Sequence, residues 1–318
     1  MRLLITRPLP DAVLDAARAE FDVTVRDSNL PMDHDEMLAA LREFDVILPT
    51  LGDRFQAEVF AACPTPRAKL LANFGVGYNH IDVAAARAAG VAVSNTPGAV
   101  TDATADLALT LMLMTARRAA EGERLVRAGD WQGWHPTQLL GLHMSGKTLG
   151  IVGMGRIGQA IAKRAHFGFG MAIRYVTRSK RDLPELPEAQ GMTDLHALMA
   201  SSDIVVIAAP ATPETHHMIN AEALAAMQSH ALLINIARGD IVDEAALIAA
   251  LEARSIGGAG LDVYEFEPEV PARLIACENA VLLPHLGTNA LEVRSQMGLM
   301  AVANALAHKQ GRPLPNPV

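Results

Sequence analysis

Short apolar, β-branched runs punctuate the chain, and the stretches between them repeat their apolar positions at helical spacing. Leu3–Thr6, Val23–Val25, Val46–Pro49, Leu70–Asn73 and Val91–Ser94 read as strands, alternating with amphipathic patterns such as His34–Phe44 and Val83–Ala89. A second series begins at Thr148, with strands expected over 148–152, 172–176, 203–209, 231–237, 258–263 and 280–285. Strands covered on both faces read as continuous apolar runs, as a parallel sheet between helix layers requires. The pattern predicts an α/β protein with two doubly wound parallel-sheet domains, a flavodoxin-like one and a Rossmann dinucleotide-binding one.

Between the two series one long helix is expected from about Thr101 to Glu121, with Thr101 and Asp102 available as N-cap residues. A segment rich in Gly, Trp and His follows at Gly129–Gly146. A last helix is expected over about 289–308, before a tail whose prolines forbid more helix. The apolar run Leu107–Met114 falls far short of the ~20 residues that span a bilayer, so it reads as a buried helix.

Composition narrows the classes. The chain has 318 residues, with 27 Lys+Arg against 35 Asp+Glu, for a net charge of −8. Its length suits two domains, and its charge offers no general attraction to nucleic acid or anionic lipid. The first residues lack the apolar stretch of a secretory signal, so a cytoplasmic location is expected. Cys63 and Cys277 match neither a disulfide framework nor zinc spacing and read as buried thiols. His216 and His217 are adjacent, which points their side chains apart, and no metal is expected.

The run Gly153-Met-Gly155-Arg156-Ile157-Gly158 follows the 148–152 strand and opens a helical pattern. Glycines at that spacing permit a tight turn, close approach of a pyrophosphate and close helix–strand packing, with the helix N-terminus meeting the anion. The next strand ends in Thr177-Arg178-Ser179-Lys180-Arg181, without the carboxylate that would receive ribose hydroxyls and repel a 2′-phosphate. That stretch favours NADPH over NADH; as an ordinary solvated charge run it would favour neither.

Three later strand ends carry Arg238, then Asp262, Glu265 and Glu267, then His285. In an open α/β sheet such residues converge beyond the carboxyl ends of the strands, and Arg, Glu and His there suggest proton transfer on a carboxylate-bearing substrate. Glu265 and Glu267 both remain candidates to partner the histidine. Taken singly, Arg238 is also readable as a structural ion-pair residue, and His285 as a core histidine.

At these residues the chain resembles the D-isomer-specific 2-hydroxyacid dehydrogenase family, most closely its glyoxylate/hydroxypyruvate reductase branch. The likeness rests on Asn73–Asp82, Gly146–Gly158, Ile234–Gly239, Gly260–Pro268 and Pro284–Gly287, in the family's order, with Glu267 29 positions after Arg238 and His285 18 after Glu267. It implies hydride transfer between NADPH and a small 2-oxo acid, glyoxylate or hydroxypyruvate, with NADH a weaker alternative. His285 would be the acid, Glu267 its partner favouring the imidazolium, and Arg238 the group that binds the carboxylate and polarises the oxo group. Glu267 is preferred over Glu265 because it directly precedes Pro268. The backbone N–H groups of Val76 and Gly77 would hold the carboxylate's other side, and Leu51 would lie over the substrate.

The resemblance also implies that Thr104, Ile157, Ala209, Pro210, Thr215, Ile236, Ala237 and Gly287 line the cofactor, with Thr215 near its phosphates. Asp262 would contact or orient the nicotinamide. The chain departs from the family pattern at Gly287-Thr-Asn289, which touches only cofactor contacts after His285. Phosphorylated substrates are disfavoured, since Leu51-Gly-Asp53-Arg54 offers one cation beside an acid. Trp134 would cross a homodimer interface, the alternative being burial between domains. Residues 1–98 completed by 287–318 form the implied substrate domain, and 99–286 the NAD(P)-binding domain, with a cleft expected to close on substrate about Pro97–Gly98 and Leu286–Gly287. Rival readings are an NAD-dependent dehydrogenase of a larger or phosphorylated 2-hydroxy acid, and a non-enzymatic dinucleotide-sensing corepressor.

Overall fold

In the computed structural model, residues 1–179 and 181–318 are described, and they form two compact units: 1–100 with 288–318, and 101–287. Lys180 lies outside the described residues.

The first unit holds β1 (Arg2–Ile5), α1 (Asp11–Glu20), β2 (Asp22–Val25), α2 (His34–Glu43), β3 (Val46–Leu48), α3 (Ala57–Ala62), β4 (Leu70–Ala72), α4 (Val83–Ala88) and β5 (Ala92–Ser94). Its parallel strands run in the order β2-β1-β3-β4-β5, the flavodoxin-like winding. Helix starts follow from side-chain caps. Asp33 and Glu36 form a reciprocal capping box on α2, and Asp82 caps α4. Asp53, read from sequence as an acid that disfavours a dianion, is fully buried. It accepts from Thr6 Oγ1 at 2.6 Å, Thr50 N at 2.8 Å and Met32 N at 3.0 Å, so it ties three segments together.

The second unit holds α5 (Thr101–Ala116), α6 (Ala119–Ala128), β6 (Thr148–Val152), α7 (Arg156–Phe169), β7 (Ala172–Val176), β8 (Gln190–Met192), α8 (Leu195–Ala200), β9 (Ile204–Ile207), α9 (Ala221–Ala225), β10 (Leu232–Asn235), α10 (Glu244–Glu252), β11 (Gly258–Leu261), α11 (Ala272–Ile275) and β12 (Ala280–Leu282). The order β12-β11-β10-β9-β6-β7-β8 is a Rossmann winding whose direction reverses between β6 and β9. β6, β9 and β10 pack Leu149, Ile151, Ile204, Val206, Leu232 and Ile234 into one core beneath α5 and α7. The long α12 (Leu291–Lys309) returns to the first unit, where it packs on α1 and β4 and adds Ala301, Val302 and Ala305 to their core.

Two expectations are corrected. The 101–121 stretch is two helices, because Arg118 turns left-handed at φ 51 and the Ala116 carbonyl accepts from Leu142 N at 2.7 Å. Gly141 lies so close to that carbonyl that an added Cβ would sit 2.1 Å away. The second sheet also has an edge strand, β8, which the polar run Gln190-Gly-Met did not announce.

Candidate active site

The turn from β6 into α7 uses its three glycines differently. Gly153 has φ +100, and a Cβ there would meet Ala209 N at 2.6 Å. Gly158 lies against the Gly153 carbonyl oxygen, where a Cβ would come within 2.2 Å. Gly155, the residue before α7, has open space where its Cβ would be. Two glycines are therefore demanded by packing, whereas the middle one leaves room for a ligand at a helix N-terminus. This turn fits the pyrophosphate of a dinucleotide. Arg156 is exposed and Ile157 half-buried on the first turn of α7.

At the end of β7, Thr177 is half-buried and Arg178 and Ser179 are exposed. Sequence reasoning missed Glu214, on a loop far away in sequence. A hydrogen bond from Thr212 holds its carboxyl below the ordinary range, with a further pull from Arg178. Within the same loop Thr215 Oγ1 donates to Pro210 O at 2.9 Å and accepts from Thr212 N at 2.8 Å, so the expected phosphate ligand is engaged by its own turn. Ala209 and Ile236 are buried.

Adjacent strands β10, β11 and β12 bring the chemical residues together just beyond their carboxyl ends. Buried Asn235 shapes the first loop: its Oδ1 accepts from Ala237 N at 3.0 Å and its Nδ2 donates to Arg238 O at 2.8 Å. Arg238 Nη1 donates to Ala237 O at 2.6 Å. Burial lowers the pKa of this guanidinium, while Glu267 and Asp240 push it back up. Gly239 follows because its backbone abuts Tyr264, where an added Cβ would lie 1.9 Å from the carbonyl carbon.

Glu267 and His285 meet, with Oε2 2.8 Å from Nδ1. Burial pushes the Glu267 carboxyl up, but the His285 hydrogen bond, the Tyr264 N–H at 3.0 Å and Arg238 hold it below the ordinary range. Glu265 turns elsewhere, its Oε1 2.9 Å from His217 Nε2. Behind it lies Glu244, almost fully buried, whose carboxyl is raised by burial and by Glu265, and whose Oε2 accepts from Glu265 N at 3.4 Å.

His285 is held at φ 55, a left-handed conformation costly for a residue with a Cβ. Its neighbours supply the restraint. Asp262 O accepts from His285 N at 3.0 Å, Asp262 Oδ1 from Leu286 N at 2.6 Å and Oδ2 from Gly287 N at 2.9 Å. Buried Thr104 donates to Gly287 O at 3.2 Å. Asp262 and Thr104, expected to touch cofactor, thus bind the turn that carries the histidine.

In the first unit, Leu51 is half-buried and its carbonyl accepts from Arg7 Nη1 at 2.7 Å, a cation that sequence reasoning overlooked. In the Val76–Gly77 loop the Gly75 and Gly77 carbonyls accept from Asn73 Nδ2 at 3.1 and 3.0 Å, and Val76 O from Asn95 Nδ2 at 2.9 Å. Trp134 is 80% exposed. No cluster of three or more His, Cys, Asp or Glu suited to a metal occurs among the described residues, and no described helix is long and apolar enough to cross a membrane.

The family profile described as D-isomer specific 2-hydroxyacid dehydrogenase, NAD binding domain, matches residues 109–287. The glyoxylate reductase of Thermococcus onnurineus (strain NA1) is 43% identical over 316 residues, covering 98% of this chain and 93% of that protein. The glyoxylate reductase of Pyrococcus horikoshii is 42% identical, with the same coverage. Among solved structures, a protein of Thermus thermophilus aligns over 100% of both chains at 44% identity and TM-score 0.92. The NADPH-dependent glyoxylate/hydroxypyruvate reductase of Sinorhizobium meliloti, in complex with NADP and malonate, aligns over 100% of this chain and 96% of its own at 34% identity and TM-score 0.87. With the glycine turn and the His–Glu pair in hand, these likenesses establish that the chain belongs to the D-isomer specific 2-hydroxyacid dehydrogenase family and is an NAD(P)-dependent oxidoreductase.

Proposed function

We propose that this enzyme reduces small 2-oxo acids, glyoxylate and hydroxypyruvate foremost, with a preference for NADPH. The observation that carries the proposal is the 2.8 Å His285–Glu267 pair beside Arg238, at strand ends of the sheet that bears the dinucleotide turn. A bound nicotinamide cofactor supplies the hydride. His285 gives its Nε2 proton to the oxo oxygen, while Glu267 accepts the bond at Nδ1 and so fixes the ring. Arg238 binds the substrate carboxylate and polarises the oxo group. The Val76 and Gly77 N–H groups hold the carboxylate's second side, and Leu51 keeps the subsite small and apolar. The names of related proteins, glyoxylate reductase and glyoxylate/hydroxypyruvate reductase, support the substrate class.

The NADPH preference is supported by exposed Arg178 and Ser179 at the end of β7, where no carboxylate of that turn opposes a 2′-phosphate. The working form is a homodimer. Every residue of the amphipathic α6 has solvent access, and Val126, Trp131, Trp134 and Leu140 expose apolar surface that a second copy would cover, carrying Trp134 to the partner's substrate site.

The test measures oxidation of NADPH and of NADH with glyoxylate, hydroxypyruvate and pyruvate, with His285→Ala as control. Fast NADPH oxidation with the first two acids, absent from the control, is expected. Absence of turnover with every acid, despite cofactor binding, would sink the proposal in favour of a dinucleotide-sensing role. Sedimentation at micromolar concentration reads the assembly.

A further inference from the structure

The first unit contains a chain of hydrogen bonds that begins beyond α12 and ends at the Val76–Gly77 loop. Residues 316–318 return beside β5, the edge strand of the sheet: Ser94 bridges Pro317 in antiparallel fashion, Val318 N donates to Val93 O at 3.0 Å, and Asn95 N donates to Asn316 O at 3.1 Å. Asn316 is anchored in turn by Asn304, a polar residue of α12 with no exposed surface. Asn304 Oδ1 accepts from Asn316 N at 3.0 Å, and its Nδ2 donates to Asn316 Oδ1 at 3.2 Å. A fully buried amide is costly unless it is paired, so this pairing accounts for a residue that apolar packing alone would not select.

With its main chain fixed by Asn316, Asn95 donates from Nδ2 to Val76 O at 2.9 Å, and the next residue, Thr96, donates its N–H to Gly75 O at 3.0 Å. Asn73 binds the Gly75 and Gly77 carbonyls from the other direction. All three carbonyls of the loop are thus engaged. In a trans peptide the N–H points opposite to the C=O, so binding Gly75 O and Val76 O turns the Val76 and Gly77 N–H groups away from Thr96 and Asn95. Neither N–H has an acceptor among the described residues. Donors held ready in this way pay no ordering cost when an anion arrives.

We infer that residues 315–318, acting through Asn316 and Asn95, position the Val76 and Gly77 amides for the substrate carboxylate. Asn95, Asn304 and Asn316 are positioning residues, and the inference rests on the role proposed above for that loop.

The test compares wild type with Asn95→Asp, Asn304→Leu and a chain ended after Leu314. Asn95→Asp keeps the shape but removes the donor to Val76 O. It should raise KM for glyoxylate about 10-fold or more, with kcat and KM for NADPH within about two-fold. The shortened chain and Asn304→Leu should raise the same KM about three- to ten-fold. The Ki of oxalate, which binds without reacting, should rise in parallel. An unchanged KM and Ki in both Asn95→Asp and the shortened chain would overturn the inference. So would a joint fall of kcat, cofactor binding and melting temperature, which marks a merely structural role. If wild type turns over no 2-oxo acid, the proposed function fails separately, and amide exchange decides the positioning. Faster exchange at Gly75 and Thr96 in the shortened chain, with 148–176 unchanged, supports it, and unaltered exchange there overturns it.

Discussion

Glu267 Oε2 lies 2.8 Å from His285 Nδ1, and the same carboxylate accepts the Tyr264 N–H through its other oxygen. Both oxygens are therefore committed, one to orienting the imidazole and one to the loop that follows β11. Removing the imidazole with His285→Ala should lower kcat about 10²–10⁴-fold. Glu267→Gln should lower it by about 10²-fold while leaving KM for NADPH within about two-fold, because the amide keeps an acceptor but loses the charge that complements a protonated ring. Steady-state kinetics with both substrates varied checks the pair, and wild-type kcat in Glu267→Gln would count against it.

The glycine turn separates folding from binding. Gly158→Ala places a carbon 2.2 Å from the Gly153 carbonyl oxygen, so backbone must move, and a loss of about 1–3 kcal/mol or more is expected in urea unfolding. Gly155→Ala meets nothing within 4 Å and should stay within about 1 kcal/mol of wild type. Its KM for NADPH should nevertheless rise about 10-fold, since the added methyl occupies the space left for the pyrophosphate. Normal cofactor affinity in Gly155→Ala would show that the phosphates lie elsewhere.

Glu214 sits close enough to Arg178 for the two charges to attract, although 36 positions separate them in sequence. A carboxylate there competes with a 2′-phosphate for the guanidinium. Glu214→Gln should lower KM for NADPH several-fold and leave KM for NADH nearly unchanged, whereas Arg178→Ala should raise the NADPH value and spare NADH. Equal effects on both cofactors would remove Arg178 from the specificity argument.

Glu244 gives a pH dependence whose sign is fixed by burial. Its folded-state carboxyl titrates above the ordinary value of 4.5, so above the folded value the charged form costs stability, and below 4.5 both states are protonated and the cost vanishes. Glu244→Gln should therefore raise the melting temperature at neutral pH, with the gain shrinking to zero as pH falls toward 4.5. A gain that is constant across that range would point to packing, not charge.

What could be read from sequence was what local chemistry decides. The runs that became β1, β3, β6, β9 and β10 are apolar on both faces, and the glycine spacing after β6 makes sense only as a strand-to-helix turn. The end of α5 was hidden because Gly141 and Leu142, from a later segment, are what close on its Ala116 carbonyl. The structural role of Asp53 left no local mark because its donors Thr6 and Met32 come from other turns of the chain. Glu265 and Glu267 were equal in composition and separated only by likeness; in space His217 takes the first and His285 the second. Asp262 carried a cofactor role by likeness, yet both of its oxygens bind backbone 24 and 25 positions later in sequence. Signals that need two distant segments at once leave no mark on a single stretch.

The left-handed backbone of His285 sets stability and turnover against each other at one position. Glycine would occupy φ 55 without the ~1–2 kcal/mol that a Cβ incurs there, so a library screened only for heat resistance should enrich glycine at 285. Every such survivor would be a sturdier protein without the imidazole proposed above as its proton donor. Thermal selection applied to this enzyme therefore has to be coupled to turnover from the first round, or it will discard the chemistry before it finds anything else.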